Sequence, residues 1–294
     1  FCFYSISLFC RFTKRCKWFI LSFVKKQVLE SPFTKKEFLD LVDQVSESHD
    51  IKHDDFAISK TSIVNIGSRE FVDYRPSFVL KKEILENSKI NSINFDSLHF
   101  FQIQDIAKNT RFKSLKVKKT DISVNLTLPE TYKDYLQNLT KKKRHELNRK
   151  KRKFVDQIES FELKESKDQD IFDIFILQHR DSKGEKGKFM TQEVESYFKN
   201  LLSMDGWKIY YIDTNKGVLS TAFCYENKIG CYLYNSSRNN EFNSVNPGIV
   251  LNDLIIQLLI EKELSFFDFL KGTERYKYDL GGKSVQLYDL IMNI

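Results

Sequence analysis

Hydrophobic positions along this chain recur at two spacings. Intervals of three and four residues mark amphipathic helices, and strict alternation marks strands with one buried face. Phe33–Val45 has the helical spacing, with Phe38, Leu41, Val42 and Val45 inward, and Ala57–Ile66 reads as a strand ending at Gly67. Phe78–Asn87 is then expected as a helix, and Ser97–Gln102 and Arg111–Val117 as strands. Ile122, Val124, Leu126 and Leu128 alternate with polar residues up to Pro129, so a second unit is expected to begin near Asp121. A long helix over Glu130–Gln157, a strand at Phe161–Glu165 and helices at Gln169–Arg180 and Thr191–Ser203 follow. Trp207–Asp213, Val218–Glu226 and Ile229–Asn235 form an expected three-stranded meander, with turn residues at 215–217 and 227–228. The tail reads as a helix at Pro247–Lys262, a strand at Phe266–Phe269, an irregular or helical piece at Thr273–Tyr278 and a final strand at Val285–Met292. Helices and strands alternate throughout, so the expected class is α/β with a mixed sheet.

Composition narrows this picture without changing it. At 294 residues, with 41% hydrophobic and 14% aromatic content, the chain can bury cores without disulfides or metals, and is neither disordered nor fibrous. Of the five cysteines, three crowd the first sixteen residues and none forms a Cys-x-x-Cys pair. No zinc site or disulfide framework is legible, which suits a reducing cytoplasm. Residues 1–30 begin on Phe rather than Met and are expected to belong to a fragment of a longer reading frame. Their apolar stretches are split by Arg11, Lys14, Arg15 and Lys17, so no integral membrane span is expected, and contact with a membrane surface competes with a truncated strand or helix.

The net charge of +7 is unevenly spread: residues 108–153 carry 16 Lys/Arg against 4 Asp/Glu. Nine of those cations crowd Thr140–Lys153, opposed only by Glu146. Such density neutralises phosphates or simply solvates a helix. No aromatic residues interleave the run, which weakens a nucleic-acid reading.

Two stretches carry candidate chemistry. In Asn246-Pro247-Gly248-Ile249 an N-cap residue precedes a proline suited to the first helical position and a glycine that admits a ligand close to the backbone. The amides of such a helix start can hold a phosphate, or the turn can be a plain cap. In Phe267-Asp268-Phe269 a carboxylate lies in an apolar, and therefore central, strand. Glu274, Tyr276 and Lys277 follow Gly272 and are candidates to line the same cleft as acid, base or phosphate contacts.

These residues, in this order, resemble the acyltransferases of the GCN5-related N-acetyltransferase (GNAT) superfamily. The particular likeness is to the acetyltransferase-like group associated with cellulose biosynthesis, itself related to Fem-type aminoacyl transferases. The likeness runs over about residues 121–294. It is carried by Leu128-Pro129-Glu130 and its basic helix, by Gln178-His179-Arg180 with Lys183-Gly184 and Gly187, and by Tyr232-Leu233-Tyr234-Asn235-Ser236. It continues through Pro247-Gly248 with Leu251, then Phe267-Asp268-Phe269 with Gly272, Tyr276-Lys277 and Gly281. Weaker echoes at Asp73-Tyr74 and Phe95–Gln102 suggest that residues 31–120 are a partial first half of similar kind. The resemblance implies two central strands that splay apart around the pantetheine of acetyl-CoA or another acyl-CoA, with its diphosphate at Asn246, Pro247, Gly248 and Ile249. It implies transfer to an amine, on a small molecule, a glycan or a cell-envelope precursor. Catalytic candidates are Asp268, then Glu274, then His179, with Tyr276 and Lys277 contacting the thiol or a phosphate. The chain departs from the family's common Gln/Arg-x-x-Gly-x-Gly/Ala loop and has Glu263 where a helix-ending glycine is expected. A Fem-type enzyme would take aminoacyl-tRNA, for which the basic helix has an obvious partner, and a non-catalytic nucleic-acid-binding module is the third reading.

Overall fold

The computed structural model describes residues 24–46, 51–53, 55–76, 84 and 89–294. It is built on one mixed sheet, with eleven strands among the described residues, in the order β1-β2-β3-β4-β11-β5-β10-β9-β8-β7-β6. Chain order gives α1 (Lys36–Gln44), β1 (Ile51–Lys52), β2 (Phe56–Ser59), β3 (Ser62–Asn65), β4 (Ser92–His99), α2 (Phe100–Asn109) and β5 (Ser114–Thr127). Then come α3 (Tyr132–Asn138), α4 (Lys141–Gln157), β6 (Phe161–Ser166), α5 (Gln169–Arg180), α6 (Glu185–Phe189) and α7 (Gln192–Ser203). The meander β7 (Trp207–Thr214), β8 (Ser220–Glu226) and β9 (Gly230–Arg238) leads into α8 (Pro247–Glu261), β10 (Phe266–Lys271), α9 (Arg275–Asp279) and β11 (Lys283–Asn293).

The strand order is pseudo-symmetric about the β11–β5 pair. Among the described residues, parallel pairing occurs only at β3–β4 and β9–β10, once on each side. β5, which ends the first half of the chain, pairs with β10 of the second, and β11, which ends the second, pairs with β4 of the first. The halves thus exchange their last strands. Both β4 and β10 carry a register shift at the same place, and each contains a residue in the left-handed region there: Ser97 at φ 53° and Leu270 at φ 59°. The expected boundary near Asp121 lies inside β5, because Arg111–Val117 and Ile122–Leu128 belong to one continuous strand.

Other differences have local causes. The stretch Ala57–Ile66 is a hairpin, turned at Lys60 with φ 55° and without the glycine or asparagine that usually marks such turns. Glu130–Gln157 breaks into α3 and α4 where the Thr140 hydroxyl caps the Lys143 amide. Strand β4 begins earlier than expected and α2 starts at Phe100. The short α6 was not anticipated. Glu263 adopts φ 58°, the conformation for which glycine is the usual residue. The helix expected at Phe78–Asn87 lies outside the described residues except at Ile84. Of the segment 1–30, residues 24–30 are described; they are helical, with Val28 buried. Among the described residues, no helix is long and apolar enough to cross a membrane.

Helices cover the second half of the sheet on both faces. α8 lies on one face: Val250, Leu251, Ile255, Ile256 and Leu259 are buried with Phe267 and Phe269 of β10. Each such side chain contributes about 1.5–3 kcal/mol. Asp253 is fully buried in this helix, accepting from the Tyr132 hydroxyl of α3 and pairing with Lys151 of α4. That charge pair fixes α4 against α8. On the other face Phe33, Phe38, Trp207, Phe223 and Tyr232 join a core that runs on into the first half. The wedge where β3 and β4 part is bridged by Arg75, 1% exposed. It donates to the carbonyls of Ile66 (2.7 Å) and Gly67 (3.0 Å) and pairs with Asp96 (2.9 Å). Replacing it by leucine strands Asp96 and two carbonyls, so Arg75→Leu is expected to lower the unfolding free energy by about 3 kcal/mol or more, read from urea titration.

Candidate active site

Pairing between β9 and β10 lasts three residues, from Gly230–Phe266 to Tyr232–Asp268. Beyond Asp268 the left-handed Leu270 turns β10 toward β5, while β9 runs on beside β8 as far as Arg238. A loop then leads to α8. The crevice outside the carboxyl ends of diverging parallel strands is a general ligand site in α/β sheets. Here it is a cleft of about 280 Å³ between the start of α8, the ends of β8 and β9, and Tyr276 of α9.

The helix start is open. Asn246 is left-handed (φ 57°, ψ 48°) and no side chain caps α8, so the expected side-chain N-cap does not form. Pro247 occupies the first turn as anticipated, and the Ile249 and Val250 amides turn back onto the Asn246 carbonyl. A Cβ on Gly248 would come no closer than 3.7 Å to the Ser220 hydroxyl, so crowding does not demand glycine there; its bareness keeps the cleft floor open. All four expected diphosphate residues, Asn246, Pro247, Gly248 and Ile249, line the cleft.

Facing this helix end are two cations missed from the sequence, Lys186 of α6 and Arg238 at the end of β9. Among the described residues no carboxylate pairs with either. Lys186 is solvent-accessible overall, yet desolvation on the cleft side, with the repulsion of Arg238, lowers its ammonium to about 8 against the attraction of Glu274. Two like charges facing the positive end of a helix dipole favour an anion between them. Asn252, 5% exposed, also lines the cleft; its Nδ2 donates to the Gly248 carbonyl at 2.8 Å and its Oδ1 has no partner.

The other expected residues divide. Tyr276 lines the cleft, its phenol pushed up by burial and by Glu274. Glu274 is exposed and pairs with Lys277 at 3.0 Å. Lys277 is 3% exposed and donates to the carbonyls of Leu270, Lys271 and Gly272, so its ammonium closes the end of β10 and is not available to a phosphate. Asp268 lies where the strands part but is not in the cleft wall. Its carboxylate faces the first half, accepting from the Leu270 amide (2.8 Å) and the Tyr74 hydroxyl (3.1 Å). Burial raises it to about 6 against those bonds. His179 lies behind the cleft wall, with Nε2 3.1 Å from Asn235 Oδ1. That oxygen also accepts from the Ser236 amide, so Nε2 carries the proton and Nδ1 is bare, buried and unpartnered. Burial and Lys186 lower the ring to about 4, so it is a neutral imidazole.

A second, larger concavity of about 930 Å³ opens on the surface, lined by Lys141, Lys142, Arg144, His145, Glu146 and Asn148 of α4 with Arg275 of α9. It is a predominantly basic shelf. Arg275 and Tyr276 are consecutive in α9, so that helix contributes one residue to the shelf and one to the cleft.

The stretch from the basic helix to α9 supplies every wall of both sites. Residues 141–278 match the family model described as Acetyltransferase (GNAT) domain. Over that stretch the chain is similar to GNAT acetyltransferase domains, and it is a transferase. No curated protein matches the chain. Among solved structures, the chain resembles a conserved protein of unknown function from Bacteroides thetaiotaomicron, with 10% identity, a TM-score of 0.60, and 93% of this chain and 96% of that one covered. It also resembles the C-terminal domain of an Agrobacterium fabrum protein assigned as a lysylphosphatidylglycerol synthetase (13% identity, TM-score 0.54, 92% and 91% covered). A third similar fold is FemX (12% identity, TM-score 0.51, 71% and 74% covered). At these identities the likeness is one of fold.

Asp268 gives the fold a pH signature. A carboxyl raised in the folded state binds more protons folded than unfolded, so its contribution to stability is lost as pH climbs from about 4 to 6. Asp268→Asn is expected to remove that decline, worth up to about 3 kcal/mol, in denaturant titrations run at successive pH values.

Proposed function

We propose that the chain is an acyl-CoA-dependent N-acyltransferase that delivers an acetyl or other acyl group to an amine on a small molecule, glycan or cell-envelope precursor. The observation that carries this reading is the pairing of an uncapped α8 start with two carboxylate-free cations, Lys186 and Arg238, across one cleft. A diphosphate satisfies all three at once. The acyl thioester is then held where β9 and β10 part. An amine attacks its carbonyl carbon, the C–N bond forms, the C–S bond breaks, and the thiolate leaves. Holding the two reactants in this geometry supplies much of the rate.

Within this reading Tyr276, the phenol in the cleft, returns a proton to the departing thiolate. Glu274, exposed beside it, takes the amine proton through water. Asp268 and His179 act through their neighbours. Asp268 fixes the divergence of the strands through Leu270 and Tyr74, and His179 holds Asn235 at the inner wall.

One observation favours a second reading, transfer from aminoacyl-tRNA: the basic shelf of α4 shares the short helix α9 with the cleft, and its density of cations suits a phosphate backbone. FemX and the domain assigned to a lysylphosphatidylglycerol synthetase share the fold.

Binding of CoA is expected to raise the melting temperature. Because the free Lys186 ammonium is held below its usual range and an anion keeps it charged, CoA affinity should fall as pH rises from 7 to 9, by less than tenfold because the side chain is exposed to screening water. Lys186→Met should bind more weakly and without that pH dependence, both read by titration calorimetry. No response to CoA, with a salt-sensitive shift on charged tRNA, would transfer the assignment to the second reading. Tyr276→Phe should keep CoA affinity and lower kcat by about a hundredfold, the usual worth of one positioned proton donor.

A further inference from the structure

Asn252 is buried at 5% exposure in the wall of the cleft, one helical turn beyond Gly248. Its amide is oriented by the bond from Nδ2 to the Gly248 carbonyl at 2.8 Å, which leaves Oδ1 as an acceptor with no donor. Buried acceptors are rarely left so, since an unmade hydrogen bond forfeits the solvation the group gave up. The orphan lies in a functional cleft, and its missing partner is a donor on whatever fills that cleft.

We propose that Asn252 is a specificity-determining residue whose Oδ1 accepts from a neutral amide N–H on the arm of the acyl carrier. This rests on the acyl-CoA reading and deepens it. The donor is neutral because Lys186 and Arg238 share the cleft and resist a cation such as the acceptor amine. It belongs to the arm because of depth. One turn of helix is about 5–6 Å, so Asn252 lies that far inside the Gly248 amide at the helix start that receives the diphosphate, where the chain beyond the phosphates passes. The surroundings agree: Leu251 and Ile249 give an apolar lining, and Ser220 and Ser237 spend their hydroxyls within the sheet, on the Ser237 carbonyl and the Gln178 Oε1. An arm of alternating methylene and amide groups suits such a wall. Asn252 is thereby a reader of the arm, while Lys186 and Arg238 read the phosphates.

The test compares CoA with ADP, which offers the diphosphate without the arm. Asn252→Leu should weaken CoA binding about tenfold in calorimetry and leave ADP affinity unchanged, the size expected for one lost hydrogen bond with its acceptor. Asn252→Ser serves in the same comparison should the leucine variant fail to fold. In the wild-type chain the Asn252 side-chain amide resonances should shift on adding CoA and stay in place with ADP. If both ligands weaken together, or if CoA binds the variants as it binds the wild type, the inference is overturned while the acyl-CoA reading stands. If the wild type binds neither CoA nor ADP, both are overturned. Resonances that shift equally with ADP would make the partner a ribose hydroxyl and overturn the amide.

Discussion

The parallel pairing of β9 with β10 ends after three residues, and the cleft at the start of α8 depends on that early end. A longer ladder would satisfy the strand ends internally and leave no room before α8. Three constraints stop it. Leu270 sits in the left-handed region, at a cost of about 1 kcal/mol or more for a non-glycine residue, and it turns the chain toward β5. Asp268 accepts the Leu270 amide and so ties the bend to a buried carboxylate. Lys277 then gathers the carbonyls of Leu270, Lys271 and Gly272, which the ladder has abandoned. Each element looks unfavourable alone, and together they hold the strands apart.

The loop after β3 adds a fourth constraint from the other half of the chain. Tyr74 donates to Asp268, Asp73 accepts the Lys271 amide at 3.0 Å, and the Phe71 carbonyl accepts from Tyr234 at 2.8 Å. One face of the divergence is therefore closed by first-half residues, and the other opens into the cleft beneath α8. The carboxylate that sequence logic placed first among catalytic candidates instead fastens the two halves together. Its burial explains its raised pKa as well as its absence from the cleft wall.

Much of the second half was legible because its signals are local. The Pro247-Gly248 helix start, the meander with its turn residues, and the apolar strand around Asp268 each announce themselves within a few residues. Periodicity could not show that Arg111–Val117 and Ile122–Leu128 are one strand, since Thr120 and Asp121 look like a break and only pairing with β11 keeps the chain extended. Nor could it show the Lys60 turn or the left-handed Glu263, where tertiary packing overrides the residue's preference. In the site, Lys277 looked like a phosphate contact because its use by three carbonyls follows from the bend at Leu270, which is invisible locally. Lys186 and Asn252 were passed over for opposite reasons. One is a lysine among many, flanked by Gly184 and Gly187, and the other is a polar residue inside a stripe that otherwise reads as core.

The pseudo-symmetry of the sheet explains why one half alone offers a cleft. Each half has a parallel pair followed by a left-handed bend, so each has the makings of a crevice. In the first half Arg75 fills it, meeting the free carbonyls after β3 with one edge of its guanidinium and Asp96 on β4 with the other. A planar cation with five donors satisfies those groups permanently. In the second half, among the described residues, no side chain of that kind enters the corresponding gap; instead Lys186 and Arg238 stand at its rim with no carboxylate in ion-pair contact. The same geometry serves as a structural joint where its positive charge is internally neutralised, and as a docking place where neutralisation is left to a ligand. That difference in where the compensating anion comes from, rather than any difference in backbone, separates the supporting half of this fold from the reactive one.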